Sequence, residues 1–322
     1  MKVAIRLALV ALSLGSGSAL AQEQAPNRPI TIISPYASGG SVDFAVRTIA
    51  RKFEENTRAT VVIETKAGGA GVIAANAVKT APADGSTLFL ADVGTFASNV
   101  WLLSRMPYDP LKDFAPILKL WSIANVLAVP ADLPVNSVKD LVALAKSKPG
   151  GISYASQGVG ASGHLLGSML AKATASPMTH VPYRGAAPAI TDLVAGRVEF
   201  FFTAYASVKG QVEGGKIKIL AITSKARDAL LPDVLTVGES GFPALEMEIW
   251  WGLAAPAQTS GATVELLQKQ FAAAATSPDV IAKLQEQNIV ARPTTTPEFK
   301  ALITSEIQHY EPIIKESGAK ID

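Results

Sequence analysis

The 322-residue chain has no cysteine. That excludes a disulfide framework, and it excludes the thiol on which a bacterial lipoprotein anchor is built. Histidine is almost as scarce, with His164, His180 and His309 the only three. With no H-E-x-x-H and no cysteine, a zinc site has too few ligands, and no metal is expected. Neither sign of charge dominates, at 29 basic and 27 acidic residues, and no run of Lys or Arg occurs. Nucleic acid and anionic membrane surfaces are therefore not expected partners. Beyond the N-terminal 20 residues, no segment approaches the ~18 uninterrupted apolar residues of a membrane span.

What is present begins at the N-terminus. Lys2 and Arg6 precede an apolar run from Leu7 to Leu14, and Ser18-Ala19-Leu20-Ala21 ends in Ala-x-Ala before a polar Gln22-Glu23-Gln24. This is the pattern of a secretory signal peptide cleaved after Ala21, which places the mature protein in the periplasm. Cleavage removes two basic residues and no acid, leaving 27 of each sign. At 48% apolar and 17% charged residues, the composition is that of a folded protein whose core supplies its stability.

Strand-like and helix-like runs then alternate. Residues 29–34 (PITIIS), 60–64 (TVVIE) and 87–91 (TLFLA) read as strands, with amphipathic helices over 41–54 and 72–80 between them. Short runs rich in β-branched residues suit strands buried on both faces of a parallel sheet. The pattern restarts with strands at 125–129, 152–156, 179–181, 198–203 and 217–223, and helices over 137–147, 163–172 and 187–195. Residues 224–247 are turn-rich; a strand over 248–255 and helices over 262–276 and 297–317 close the chain. This predicts an α/β fold of two lobes, each a mostly parallel sheet flanked by helices: 22–123 in lobe 1, 124–246 in lobe 2, and 247–322 returning to lobe 1. Two chain crossings make a hinge, as in a type II-like periplasmic binding protein.

Several strand ends run into small, glycine-rich loops: Tyr36-Ala37-Ser38-Gly39-Gly40-Ser41, Lys66 to Gly71, Asp92-Val93-Gly94-Thr95, and Gln157 to Gly163. Glycine lets backbone approach a ligand, and first-turn N–H groups present a positive dipole end to it. The last loop contains Gly158, Gly160 and Gly163, a G-x-G-x-x-G that also marks dinucleotide sites. A dinucleotide site needs an acid about 20 residues on; the chain there reads His180-Val181-Pro182-Tyr183-Arg184-Gly185, where only Arg184 could meet a phosphate. Gly160-Ala161-Ser162-Gly163 falls one residue short of a hydrolase G-x-S-x-G elbow. No cofactor is expected, and no catalytic residue is assigned. A secreted α/β enzyme, either a nicotinamide-dependent oxidoreductase or a hydrolase, is the weaker reading.

SPYASGGSVDFAVR (34–47), MPYDPLKDFAPI (106–117), GHLLG (163–167), HVPYRGAAPAITDLVAGRVEF (180–200) and WWGLAAPAQT (250–259), in this order, carry a resemblance. The chain resembles the Bug receptors, the solute-binding proteins of tripartite tricarboxylate transporters, over essentially its whole mature length. The resemblance implies a monomeric, non-enzymatic receptor that closes on a small organic carboxylate and delivers it to an inner-membrane permease. By matched position it assigns Ser38, Gly39, Gly40, Ser41, Gly69 and Thr95 to the ligand from lobe 1. From lobe 2 it assigns Ser156, Gln157, Gly160, Ser162, Gly163 and Thr203. His164, in the first turn of its helix, could also face a carboxylate, and Tyr36, Phe44, Asp92 and Trp250 are candidate pocket walls. Thr203 stands where the family often has Asp or Asn, which weakens an amino-acid ligand; Asp92 would restore it if it faced inward. Phe44 and Trp250 would suit an apolar spacer, as in an aromatic dicarboxylate such as terephthalate. The same lobe pair would also serve a sensing receptor.

Overall fold

The computed structural model describes residues 29–287 and 289–321. The export segment and its cleavage after Ala21 lie outside the described residues. The strands are β1 (Ile30–Ser34), β2 (Val61–Thr65), β3 (Thr87–Asp92), β4 (Phe114–Pro130), β5 (Ile152–Ser156), β6 (Met178–Pro182), β7 (Phe200–Ala204), β8 (Ile217–Ile222), β9 (Glu248–Pro256) and β10 (Val290–Ala291). The helices are α1 (Ser41–Thr57), α2 (Val72–Lys79), α3 (Asn99–Leu102), α4 (Val138–Ser147), α5 (Ser162–Thr174), α6 (Ala186–Val194), α7 (Tyr205–Glu213), α8 (Gly261–Ala275), α9 (Pro278–Gln285) and α10 (Thr296–Ser317).

One strand organises both lobes. β4 runs for 17 residues and changes partners partway. From Phe114 to Ala124 it pairs antiparallel with β9; from Asn125 it pairs with β7 on one side, and from Val126 with β8 on the other. Lobe 1 continues outward as β9, β3, β1 and β2, and lobe 2 as β7, β5 and β6. The outer pairs β1–β2, β1–β3, β5–β6 and β5–β7 are parallel, as the buried β-branched runs predict. The sheet turns antiparallel where the chain crosses between lobes, because β4 leaves lobe 1 and β9 re-enters it. Only 125–129 of β4 is legible as a strand in sequence. Register shifts at Pro116/Leu118 and Lys119/Trp121 break its alternation earlier, and Pro116 cannot donate to a ladder.

The two faces of this sheet differ. On one face a single core spans both lobes, joining Phe89, Phe96, Phe299 and Ile303 of lobe 1 to Leu141, Leu165, Leu170 and Phe202 of lobe 2. α5 and α10 meet there, with Lys172 paired to Glu316. On the other face the cores are separate. Phe53 on α1 stacks on Phe271 of α8 at 4.1 Å in lobe 1, whereas α6 and α7 cover Val126 and Phe201 in lobe 2. Each such buried phenyl ring contributes roughly 2–3 kcal/mol of transfer free energy. The lobes are thus joined by packing along one face and parted along the other.

Candidate functional site

On the parted face a cavity of about 90 Å³ lies between the lobes. Ser41 and Gln287 line it from lobe 1, Ser122 to Ala124 from the β4 crossing, and Ala204 to Ser207 and Asp228 from lobe 2. The N-termini of α1 and α7 therefore both border the gap. Each follows a parallel strand, so its first-turn N–H groups point out past the strand's carboxyl end, where open α/β sheets bind ligands.

In lobe 1, Ser38, Gly39, Gly40 and Ser41 form an exposed loop between β1 and α1. Gly40 is the N-cap of α1 in extended conformation, and no side chain caps the helix. Ser38 Oγ lies 3.1 Å from Thr65 Oγ1, and the Gly39 N–H donates to Asp43 Oδ2 at 3.0 Å. The Gly69 loop packs beneath: Asn99 Nδ2 donates to the Ala70 carbonyl at 2.8 Å, holding the turn against residues 94–98.

Asp92 and Thr95 are occupied internally. The Thr95 N–H and Oγ1 both bond Asp92 Oδ1, at 2.6 and 2.7 Å, and the Tyr36 hydroxyl donates to Asp92 Oδ2. Burial raises the Asp92 pKa, against which these bonds act. Asp92 thus caps the turn over residues 94–98 and holds Tyr36. Three of its four acceptor sites are thereby used inside the protein. Thr95 is 2% exposed, with its carbonyl accepting from Tyr108.

Two expected wall residues lie elsewhere. Trp250 is 2% exposed in the shared core, edge-on to Phe299 at 5.2 Å, because strand alternation turns it away from the gap. Its neighbour Trp251 stacks on Trp121 and sits beside Tyr36, at 6.4 Å. Phe44 is half-buried and lines an outer groove of about 440 Å³ beside α1, with Arg47, Arg51 and Lys283.

In lobe 2, Gln157 to Ala161 link β5 to α5, whose N-cap Ala161 provides no capping side chain. Ser156 is fully buried and braces the loop from inside: its Oγ donates to the Gly158 carbonyl at 2.9 Å and lies 2.6 Å from His180 Nε2. Gln157 Nε2 donates to Thr203 Oγ1 at 3.2 Å, tying the loop to the end of β7. A Cβ on Gly163 would lie 2.8 Å from the Phe202 carbonyl oxygen, so only glycine fits. At Gly160 the loop reaches lobe 1, where a Cβ would stand 3.3 Å from Leu102. The Gly160 N–H donates to His164 Nδ1 at 3.1 Å, so His164 holds the loop from behind.

One residue at this site is absent from the sequence-based set. Asn125 sits where β4 changes lobes, is 1% exposed, and its Oδ1 accepts from Ser162 Oγ at 3.4 Å. Its Nδ2 has no protein partner, nor does Gln157 Oε1. A buried donor without an acceptor costs about 1–3 kcal/mol, so this atom calls for a ligand or water. A single Asn inside the apolar run IANVLAVP was the available signal. In the loops 38–41 and 157–163 no side chain carries a positive charge. These two loops offset negative charge with oriented N–H groups and hydroxyls.

This geometry matches known proteins. Residues 45–319 match the family described as "Tripartite tricarboxylate transporter family receptor". BugT of Bordetella pertussis is 30% identical over 308 residues, covering 95% of this chain and 94% of its own. Among solved structures, Rpa4515 of R. palustris, with adipate, is 33% identical with TM-score 0.77, over 92% of this chain and 99% of the other. MatC of Rhodopseudomonas palustris, with bound malate, is 28% identical with TM-score 0.72, over 90% and 99%. A two-lobed periplasmic solute-binding protein is the class that fold and comparisons define. The chain belongs to the tripartite tricarboxylate transporter receptor family, the Bug receptors. That family consists of solute-binding receptors that take small carboxylates and work with a membrane permease.

Proposed function

We propose that this protein is a non-enzymatic periplasmic receptor that captures one small dicarboxylate between its lobes and delivers it to a tripartite tricarboxylate-type permease. The observation that carries this reading is the pair of uncapped helix N-termini on glycine loops, α1 at Ser41, which lines the gap, and α5 at Ser162, whose hydroxyl bonds Asn125 at the β4 crossing. Ser38 to Ser41 take one carboxylate, and Ser162, Gly163 and Asn125 take the other. Gly69, Thr95, Ser156, Gln157 and Thr203 support these loops from behind. The hinge lies at the two crossings, Ile123/Ala124 and Glu246/Met247, dividing lobe 1 (residues to 123 and from 247) from lobe 2 (124–246). Adipate and malate in the two related structures favour a four- to six-carbon diacid. The internal use of Asp92 and the absence of an acid at position 203 argue against an ammonium-bearing ligand.

A thermal-shift screen of residues 22–322 tests this with malate, adipate, citrate, terephthalate, aspartate and NADP. A ligand at 100 times its Kd adds about 2.7 kcal/mol, a shift of several degrees. Stabilisation by a diacid and not by aspartate is the expected result. A shift with NADP alone would overturn the receptor reading.

A further inference from the structure

The loops that open α1 and α5 share a five-residue pattern, Gly39-Gly40-Ser41-Val42-Asp43 and Gly160-Ala161-Ser162-Gly163-His164. Their conformations match. Gly39 and Gly160 are left-handed, at φ +90° and +79°, a region that favours glycine. Gly40 and Ala161 follow as extended N-caps, at φ −84°, ψ 173° and φ −68°, ψ 159°. In each, the third helical residue turns back onto the loop: Gly39 N–H to Asp43 Oδ2 at 3.0 Å, and Gly160 N–H to His164 Nδ1 at 3.1 Å. The arrangement is related to the back-bonded half of a capping box, with the forward half missing.

We propose that Asp43 and His164 are matched positioning residues, one per lobe. Each holds its glycine loop so that the first-turn N–H groups stay free for a carboxylate, and acid releases only the lobe 2 anchor. His164 Nδ1 accepts the Gly160 N–H only while that nitrogen carries no proton. Protonation removes the acceptor and sets a cation at a helix N-terminus, which the dipole disfavours. The surroundings add to this cost. His164 stacks on His180 of β6 at 3.9 Å and 13°, and Tyr154 of β5 stacks on His180 from the other side at 5.2 Å. The charge that α10 brings to α5 is Glu316, paired with Lys172 roughly two turns further on. Burial holds His164 below its ordinary range, and burial together with His164 pulls His180 down to about 4. Asp43 responds differently. Burial opposes its charge, but Arg47, at 2.8 Å, and the Gly39 N–H hold its pKa below the ordinary value, so the lobe 1 anchor persists into acid.

The binding part of this proposal rests on the carboxylate-receptor reading; the anchoring part does not. The test therefore has two arms on residues 22–322, comparing wild type, His164→Asn, which keeps an acceptor without a titration, and His164→Leu, which removes it. In the first arm, amide hydrogen exchange at Gly160 and Gly39, corrected for intrinsic rates, is followed by NMR from pH 7.5 to pH 4.5. Gly160 protection should fall with acid in wild type, persist in His164→Asn and be absent throughout in His164→Leu, with Gly39 unchanged in all three. In the second arm, calorimetric titration with adipate and with malate, with affinity referred to the dianion present at each pH, should show affinity falling about tenfold between those pH values in wild type, the equivalent of one hydrogen bond, and remaining flat in His164→Asn. If neither diacid binds, the functional reading fails while the amide arm still decides the anchor. Acid-independent protection of Gly160 in wild type, or wild-type protection in His164→Leu, would overturn the proposal. If His164→Leu does not fold, wild type against His164→Asn decides alone.

Discussion

Among the described residues, five helices run for ten or more residues, and they begin in two different ways. α4, α8 and α10 open with Ser137, Ser260 and Thr295, whose hydroxyls accept the N–H of the third helical residue. α10 adds Glu298 to complete a capping box. α1 and α5 open with Gly40 and Ala161 and have no side-chain cap. A Ser or Thr cap is worth about 1 kcal/mol, so two long helices forgo it where α4, α8 and α10 do not. The uncapped pair follows β1 and β5, whose carboxyl ends face the other lobe. The capped set serves packing. Among these five helices, the missing side-chain caps thus fall at the two glycine loops and not at the packing helices.

The sharpest way to break this contrast is to fill the space that the α5 loop leaves open. Gly163→Ala places a methyl group 2.7 Å from Gln157 Oε1 and 2.8 Å from the Phe202 carbonyl, and the backbone contact cannot yield cheaply. The expected cost is about 1–3 kcal/mol of stability, with loss of diacid binding because the first-turn N–H groups shift. Urea unfolding and calorimetric titration measure the two effects. Unchanged stability and binding would mean that the α5 turn is not held as described.

A second test exchanges the two kinds of helix start. Ala161→Asp puts a capping carboxylate at a residue already in extended N-cap conformation. It should stabilise the ligand-free protein by about 0.5–1 kcal/mol while abolishing the diacid-induced thermal shift, since the new carboxylate takes the ligand's N–H groups. Ser137→Ala in α4 should do the reverse, costing about 1 kcal/mol and leaving the diacid shift intact. If Ala161→Asp binds diacid as well as wild type, α5 does not contribute its N-terminus to the site.

The same contrast explains how much could be read in the sequence. Caps and glycine loops are local, so Ser137 with Asp140 at N3, and the loops 38–41 and 157–163, were legible without coordinates. The parallel outer strands were legible too, because burial on both faces imposes continuous apolar runs. Long-range relations were not. Trp250 and Trp251 are equivalent as letters, and only register against β4 decides which ring enters the shared core. Asp92 reads as a possible ligand contact until Tyr36, 56 residues away, is found bonded to it. Asn125 gains meaning only from the change of partner along β4. By its place in the first turn His164 could also face a carboxylate; its bond to Gly160 depends on the left-handed glycine between strand and helix, which the sequence alone does not show.

The smallest expected effect separates stability from binding in their response to pH. Burial pulls His180 from 6.5 to about 4, so the unfolded chain takes up a proton first, and stability present above about pH 6.5 is lost as pH falls. Glu306 on the capped helix α10 works the other way. Burial, then the nearby Glu248, raise its pKa from 4.5 to about 7. Its folded form keeps a proton that the unfolded chain has released, so its contribution is full below about pH 4.5 and declines as pH rises towards about 7. Between pH 4.5 and pH 6.5 the Glu306 slope opposes that of His180, to which His164 and His309, also lowered by burial, add, so wild-type stability should fall on acidification less steeply than the histidines alone would give. Glu306→Gln removes the rising-pH term and should leave a clear loss of stability on acidification across that window, measured by urea unfolding. Diacid affinity in Glu306→Gln should keep the wild-type pH profile, because α10 is capped by its own side chains and takes no part in the gap, whereas His164→Asn should change the affinity profile. An affinity profile that moves in Glu306→Gln would mean that the capped and uncapped helices are coupled through the shared core, and the division between packing helices and binding helices would have to be redrawn.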